Sequence, residues 1–323
     1  MIRSFIFSDG KLVGHDLELE ALRLVRGDKG LILWVDLDNP TEDEIKAVLD
    51  GVFQFHPLAI EDCVTPSELP KLEDYEEYFF MVTHAVDFTR EHKFATAELD
   101  LFLGREFLVT FHTAPLRSVN ALRERLAKST APGPRGPDRL AHSLLDLMID
   151  HFGPVLDTLR GELEEIEDIM LSKSSSESFI QDMLHVRADF SKLRQIVRPQ
   201  RDIIERLARG DTKLIRAKLV PYFRDLRDNL VRFEDAANSY HDRLLMAFDI
   251  YLNKAAFEAN EGIKFLTALT AITIPVMVVG TWYGMNFQGM PELRTKHGYY
   301  IALGVVLFFT TLTWFYLRRK KWF

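Results

Sequence analysis

Residues 265–291 have the sequence FLTALTAITIPVMVVGTWYGMNFQGMP, which contains no Asp, Glu, Lys, Arg or His. A second uncharged run at 298–317 has the sequence GYYIALGVVLFFTTLTWFYL. A helix needs about 20 apolar residues to cross a hydrocarbon core of about 30 Å, and both runs reach that length. Core helices of soluble proteins rarely run so far without a charge, so the sequence predicts two membrane-spanning helices.

The charges beside these runs predict their orientation. Arg and Lys fill positions 318–321 directly after the second run, and Lys264 borders the first. Basic residues accumulate on the cytoplasmic side of membrane spans, so we expect both termini in the cytoplasm and the spans in the inner (plasma) membrane. The mean hydropathy of the whole chain is only -0.06, so most of the remaining sequence is expected to lie in water.

Residues 1–136 are predicted to form a cytoplasmic α/β domain, because short β-like runs alternate with short helical patterns. A capping box at Thr41 starts a helix that is expected to reach Val52. A second short helix is predicted at 57–63, and a breaker-rich loop at 129–137. Strands are predicted at 1–9, 31–36, 78–86, 99–103 and 107–111, the last two joined as a hairpin.

Residues 137–262 are predicted to form a helical stalk in the cytoplasm. One helix is expected to run to about residue 171, and a second, after a Ser-rich turn, to about residue 209. A third helical pattern covers 212–283, with Pro221 and Pro275 as its only interruptions. At 1.5 Å per residue this helix would span on the order of 100 Å.

The membrane part is predicted to comprise a first span at 263–286, an external loop at 287–297, a second span at 298–317 and a basic tail at 318–323. Two spans cannot enclose a water-filled path, because every backbone group that faces lipid must be satisfied and a pore wall needs several helices. If the protein conducts an ion, it must do so as an oligomer. The alternative is that the two spans are a plain membrane anchor.

Several local motifs accompany these spans. The sequence YGMN at 283–286 ends the first uncharged run and is followed by MPEL at 290–293 and by KKWF at 320–323. Farther upstream stand PYFRD at 221–225 and RP at 198–199. In these motifs, and in their placement around two C-terminal spans, the chain resembles the CorA family of magnesium and cobalt transporters.

The resemblance implies an α+β/α membrane protein, with a cytoplasmic α/β domain, a long helical stalk and two C-terminal transmembrane helices. It also implies a funnel-shaped homopentamer that takes up magnesium passively and closes when cytoplasmic magnesium binds. Magnesium is then both the transported and the regulatory ion, and cobalt a second transported ion. In the external loop, the acidic Glu292 favours the magnesium branch over the related branch that transports zinc.

The family signature Gly284-Met285-Asn286 is expected to form the selectivity filter. Magnesium releases its waters reluctantly and is usually held through them, so a first filter should offer neutral oxygens. Asn286 supplies an amide oxygen and a backbone carbonyl, and symmetry would repeat them in a ring. Gly284 is expected to let the chain leave the helix through dihedral angles that other residues avoid.

Counting back from Asn286 at helical spacing selects one face of the first span. This face, called the stripe below, carries Thr281, Met277, Ile274, Thr270, Leu266 and Ile263. The resemblance implies that the stripe lines the pore, where the threonines contact a hydrated ion and the apolar residues form constrictions that gate by dewetting. The alternative is that the stripe packs helix on helix.

Acidic residues on the stalk are the candidates for regulation. The resemblance implies that Asp225 belongs to a metal site between subunits, with a carboxylate of the N-terminal domain as its partner. We expect that partner to be Asp87, in a predicted turn, and a further metal-binding acid at Asp249. Carboxylate oxygens are the ligands that magnesium prefers.

The remaining patterns exclude several classes of function. The ten His residues form no zinc-type spacing, and no glycine-rich phosphate loop or nucleophile motif occurs. We therefore expect no enzyme, and as partners further copies of the chain and the lipid bilayer rather than nucleic acid or nucleotide. Two alternatives remain open: a cobalt, nickel or zinc transporter of the same architecture, and a membrane-anchored sensor or scaffold.

Overall fold

A computed structural model describes residues 1–88, 94–128, 133–171, 178–210, 212–287, 289–291, 295–320 and 322. The chain divides into two compact units, Met1–Leu245 and Met246–Phe323. Each unit is described separately below.

A seven-stranded mixed sheet forms the centre of the first unit, with the strand order β2-β1-β3-β7-β6-β5-β4 over the described residues. Strands β3 and β7 are parallel, and the other neighbouring pairs are antiparallel. The strands are β1 (Ile2–Ser8), β2 (Lys11–His15), β3 (Ile32–Asp38), β4 (Lys71–Asp74), β5 (Tyr78–Phe88), β6 (Phe94–Gly104) and β7 (Phe107–His112).

Helices pack on the sheet, so the central strands are apolar on both faces. In β3, for example, successive residues from Leu33 to Leu37 are all buried. Within the described residues the helices are α1 (Leu19–Arg26), α2 (Glu42–Ile45), α3 (Pro57–Val64), α4 (Arg117–Lys128), α5 (Pro137–Ile149), α6 (Phe152–Leu171), α7 (Ser178–Ala208), α8 (Val220–Tyr283) and α9 (Gly298–Arg319).

The predicted capping box at Thr41 is confirmed. Its hydroxyl accepts the backbone N–H of Glu44 at 3.3 Å, and the Glu44 carboxylate accepts the N–H of Thr41 at 2.9 Å. The helix reaches Val52 as predicted, but its second part, Lys46–Val52, has π-helical hydrogen bonding. The short helix from Pro57 and the hairpin between β6 and β7 are also confirmed.

Two helix predictions in the stalk are wrong in extent. The single helix expected up to residue 171 is two helices, α5 and α6, separated at Asp150 and His151. Pro154 explains the break, since it has no N–H to give to the carbonyl of Asp150 and its ring would collide with that carbonyl. The long helix begins at Val220 rather than at 212, because Pro221 is tolerated only in a first turn.

The second unit contains the C-terminal part of α8, and α9. Both uncharged runs are helical, and α8 and α9 are the two described helices long and apolar enough to cross a membrane. Pro275 lies inside α8 without ending it. The less exposed residues of both helices recur at helical spacing, and they are Ala268, Ala271, Ile272, Pro275 and Val279 on α8 and Ala302, Val306, Thr310, Thr313 and Leu317 on α9.

Candidate ion pathway and metal-binding residues

The chain leaves α8 at Gly284, directly after the last helical residue, Tyr283. The N–H of Gly284 donates to the carbonyl of Gly280 at 2.9 Å, and the N–H of Met285 donates to the carbonyl of Trp282 at 3.4 Å. A Cβ at position 284 would lie 2.9 Å from the Gly280 oxygen. Position 284 therefore requires a glycine, because any side chain would come too close to the carbonyl oxygen of Gly280.

This is not the role expected for that glycine. Among the described residues, the glycines with positive φ are Gly10 and Gly210. Gly284 does not adopt the left-handed conformation that the sequence suggested for it, so the helix ends without a left-handed residue at this position. The constraint on Gly284 is a lack of space.

Asn286 follows two residues after Gly284 and has an exposed side chain. Its neighbour Met285 is also exposed. The structure thus presents the side chains of two of the three signature residues at the surface of the single chain, where copies of the chain could surround an ion. Glu292, the acidic residue predicted for the external loop, lies outside the described residues.

All six residues of the stripe are exposed in the single chain. The exposed fractions reach 64% for Leu266 and Met277, and Ile274 is still 49% exposed. The less exposed residues of α8 lie on the opposite side of the helix, since Ala268, for example, is fully buried. The stripe is therefore left free by the contacts that the unit makes within one chain.

The threonines of the stripe satisfy their hydroxyl protons within the helix. The Thr270 hydroxyl donates to the carbonyl of Leu266 at 2.9 Å, and the Thr281 hydroxyl donates to the carbonyl of Met277. The same bond joins Thr267 to the carbonyl of Ile263 at 2.8 Å. Such bonds let threonine occupy a span without an unsatisfied donor.

Asp87 does not lie in a turn, as the sequence predicted, but in β5, opposite Ala95 of β6. Strand β5 continues to Phe88 because its pairing with β6 extends that far. The carboxylate of Asp87 forms an ion pair with Nε of Arg117 at 2.9 Å and accepts the N–H of Phe88 at 2.8 Å. In the single chain, Asp87 is thus paired with a cation.

Asp225 lies in the second turn of α8, where that helix packs on α5. The ring of His142 on α5 contacts Tyr222 and Phe223 of α8 edge-on, with centroids 5.6 and 5.3 Å apart. Asp225 itself is exposed. Its carboxylate is close enough to α5 to act on the charge of Asp146 in that helix.

The acid that Asp225 influences in the single chain is Asp146 of α5. Burial raises the pKa of the Asp146 carboxyl, His142 opposes this rise, and the carboxylates of Asp150 and Asp225 add to it. Among the described residues of the single chain, Asp87 is paired with Arg117, whereas Asp225 acts on Asp146. Sequence spacing could not reveal the pair Asp146 and Asp225, since 79 positions separate them and only the packing of α5 on α8 joins them.

Asp249, the third predicted metal-binding acid, has an exposed side chain on α8. No group of three or more His, Cys, Asp or Glu residues arranged to hold a metal ion occurs among the described residues of the chain. A metal site that used Asp225, Asp87 or Asp249 would need ligands from a second copy of the chain or from retained waters.

Strand β6 also carries a pair of neighbouring acids that was not predicted from the sequence, the half-buried Glu98 and the buried Asp100. Glu98 and Asp100 lie two residues apart and therefore on one face of the strand. Burial raises the pKa of Asp100 well above its usual value, and the neighbouring Glu98 adds to the rise. Burial also raises the pKa of Glu98, against an opposing hydrogen bond from the Ser67 backbone. The signal in the sequence was an acid alternating with apolar residues in a predicted strand.

Comparisons with known proteins cover nearly the whole chain. Residues 29–319 match the family described as CorA-like Mg2+ transporter protein. The chain is 33% identical to the protein YfjQ of Bacillus subtilis over 292 residues, 90% of this chain and 89% of that protein. It is 27% identical to the cobalt/magnesium transport protein CorA of Thermotoga maritima over 297 residues, 91% of this chain and 84% of that protein.

The fold is similar to that of a solved transporter. The complete structure of the CorA magnesium transporter from Methanocaldococcus jannaschii superimposes with a TM-score of 0.81, at 21% identity, over 99% of this chain and 98% of that one. The N-terminal α/β domain, the long helix and the two apolar C-terminal helices correspond to that architecture. The chain belongs to the CorA-like Mg2+ transporter family and is a membrane protein that transports divalent cations.

Proposed function

We propose that the protein is a passive channel for magnesium uptake, formed by a ring of identical chains. The observation that carries the proposal is the free stripe on α8, which ends at the exposed Asn286. A face of two threonines and four large apolar residues, left uncovered by its own chain, suits the wall of a pore that several copies build together. Resemblance to the family favours a pentamer in the plasma membrane with both termini in the cytoplasm.

Selection is proposed to occur on the hydrated ion. Asn286 contributes an exposed amide group, and a ring of its oxygens would accept hydrogen bonds from the waters around magnesium. Met285 and Gly284 determine the position of the ring of Asn286 oxygens, because the close contact between Gly284 and Gly280 fixes the end of the helix. Glu292 in the external loop would attract cations to the entrance.

The membrane potential is sufficient to drive such uptake. An inside-negative potential contributes about 2.3 kcal/mol per charge for each 100 mV, and a magnesium ion carries two charges. The reaction then needs no nucleotide hydrolysis. Transport stops when the ring closes.

Closure is proposed to depend on cytoplasmic magnesium at Asp225. This carboxylate is exposed and already interacts with Asp146 of the same chain. A carboxylate of a neighbouring copy, with Asp87 as our candidate, would complete the site, and the bound ion would offset the repulsion between like charges. Few carboxylates and retained waters give the weak affinity that feedback at cellular magnesium requires. Asp249 is a second position where a ring of acids could hold an ion.

Cobalt is proposed as a second transported ion. The relatives from Thermotoga maritima and Methanocaldococcus jannaschii are both named cobalt/magnesium transport protein CorA. Nickel and zinc should be tested for transport as well, since they are divalent cations of similar size and would reach the same filter as hydrated ions.

The test is ion flux into liposomes that contain the purified protein and a magnesium-sensitive dye. Imposing an inside-negative potential should accelerate magnesium entry, and cobalt should compete with it. A protein that only anchors a sensor or scaffold would give no flux above that of protein-free liposomes. That outcome would sink the proposed function.

A further inference from the structure

Two adjoining cavities in the unit Met1–Leu245 share three lining residues, Arg105, Lys213 and Leu214. Their volumes are about 890 and 700 Å³, within the range of small-molecule sites. Basic side chains outnumber acidic ones by seven to five around the two cavities, although the whole chain has a net charge of -8. Positive charge is thus concentrated here against the composition of the protein.

Lys213 lies in the connection between α7 and α8, and the described residues that follow it hold it in place. The next two residues, Leu214 and Ile215, are buried at 8% and 4% exposure and anchor the segment. The hydroxyl of Thr212 accepts the N–H of Leu214 at 3.1 Å. The side chain of Lys213 remains exposed at the cavity wall.

Arg105 is positioned by the tight turn between β6 and β7. The strands on either side are paired up to Leu103 and Leu108. Arg105 is exposed, and neither its side chain nor that of Lys213 forms an ion pair with any residue that the structure describes. Both cations are therefore available at the point where the two cavities meet.

Arg216 also lines the larger cavity, but its charge is neutralised by Asp138. Its Nε donates to the Asp138 carboxylate at 2.8 Å, and its backbone N–H donates to the same oxygen at 3.0 Å. A Cβ on Gly136 would lie 2.5 Å from the Arg216 guanidinium carbon, so a side chain there would displace the ion pair. Asp138 is buried in this ion pair and leaves Arg105 and Lys213 unneutralised.

The smaller cavity is also lined by basic side chains. Arg206 donates from Nη1 to the backbone carbonyl of Leu72 at 3.0 Å, which orients the guanidinium without neutralising it. The first turn of α5, at Pro137, lies in the wall of the larger cavity. The positive end of that helix adds to the potential of the side chains.

We propose that the two cavities form one binding cleft for a small multivalent anion bearing phosphate groups, with Arg105 and Lys213 as its central ligands. Guanidinium and ammonium groups are the side chains that bind phosphate oxygens most strongly. The ligands come from two separate segments, a strand turn and an interhelical connection, rather than from one glycine-rich loop. A motif search of the sequence therefore does not reveal the cleft.

The test is isothermal titration calorimetry on the full-length protein in detergent, at about 0.15 M salt, with inorganic tripolyphosphate as the probe. Excess EDTA in both solutions removes heat from metal chelation. We expect saturable binding at one site per chain, weakened at least tenfold in the double variant Arg105→Gln/Lys213→Gln. A parallel titration with ATP distinguishes a free polyphosphate from a nucleotide as the ligand. Equal affinity for ATP and tripolyphosphate supports recognition of the phosphates alone. Tighter binding of ATP supports a nucleotide as the ligand.

The matched control is the double variant Lys128→Gln/Arg160→Gln, which removes two exposed cations of the same unit outside the cavities. It should bind tripolyphosphate as the wild type does. Hydrogen exchange on the wild type provides a second readout, since the probe should protect the amides of residues 213–216. The proposal is overturned if the wild type shows neither saturable binding nor protection, or if both double variants weaken binding equally.

Discussion

Gly284 donates its backbone N–H to the carbonyl oxygen of Gly280 at 2.9 Å, and a Cβ on Gly284 would lie 2.9 Å from that same oxygen. A real Cβ does not fit at that distance, so Gly284→Ala should displace the last turn of α8 and with it Asn286. We expect magnesium flux in liposomes to fall at least tenfold with oligomer assembly retained. Gly280→Ala is the control, since a Cβ there meets no atom within 4 Å in the chain, and flux near the wild-type level is expected. Equal flux in both variants would contradict the role given to Gly284.

Replacing Asn286 by Ala should abolish magnesium uptake while leaving folding and assembly intact. The exposed amide would contact the hydrated ion and not the core, so its loss removes acceptors without opening a cavity. Liposome flux and size-exclusion chromatography measure the two properties. Asn253→Ala, at another exposed position of α8, should leave both unchanged. Normal flux through Asn286→Ala would remove this residue from the filter.

Polar substitution in the apolar part of the stripe should increase leak. In the proposed pore, Ile274→Asn and Met277→Asn would each place a polar ring in an apolar constriction, which makes a dry segment easier to wet. The measurement is magnesium conductance at a closing internal magnesium concentration. Val276→Asn is the control, because Val276 is also exposed but lies off the stripe. If all three variants behave alike, the stripe is a packing face.

Substitution of Asp225 should alter inhibition by internal magnesium. Asp225→Ala removes a proposed ligand, so flux should persist at magnesium concentrations that close the wild type. Asp225→Lys supplies a positive charge in place of the ion and should lower flux even without internal magnesium. Asp228→Ala, on the same turn of α8 and paired with Arg227 at 2.6 Å, is the control. Unchanged inhibition in Asp225→Ala would place the sensor elsewhere.

The buried Asp100, next to the half-buried Glu98, predicts a stability that falls as pH rises. The pKa of Asp100 is raised in the folded state, so the folded protein keeps a proton that the unfolded chain releases above its ordinary pKa. Stability is therefore greatest below that ordinary pKa and declines as pH rises toward the folded-state pKa, by about 1.4 kcal/mol for each unit of difference. Thermal unfolding of the full-length protein in detergent between pH 4 and pH 8 measures the decline.

Asp100→Asn should remove most of this pH dependence, since an amide can donate to Glu98 without carrying charge. At pH 8 the variant should melt higher than the wild type by about 2–4 °C for each kcal/mol gained. Asp74→Asn, an exposed acid on β4, should retain the wild-type slope. A steep slope in Asp100→Asn would show that other groups control the pH dependence.

The sequence predicted best where a pattern was long or strongly apolar. The helices in the two uncharged runs, the helix cap at Thr41 and the strand at 31–36 all follow from local rules, and all are confirmed. Family membership also confirms that the protein is a transporter and not an enzyme. Strands β2 and β4 were missed because they lie at the sheet edges, where few residues are buried and no alternation results.

The candidate site was predictable only in part, for a related reason. The stripe could be counted along one helix, because its members share a period. The neighbourhood of Asp225 depends on how α5 packs against α8, and the pairing of Asp87 with Arg117 depends on where α4 begins beside β5. Neither contact leaves a local pattern in the sequence, so the surroundings of these two acids could not be predicted from it.

Thr270 and Thr281 donate their hydroxyl protons to carbonyl oxygens of their own helix. These bonds determine whether the hydrogen or the oxygen of a water molecule can hydrogen-bond to the stripe. A hydroxyl whose proton is engaged offers only lone pairs to its surroundings. The waters around a cation point their hydrogens outward and match those lone pairs, whereas the waters around an anion point their oxygens outward and do not. A pore lined by the stripe would therefore discriminate by the sign of the ion's charge at two separate depths without containing a charged residue.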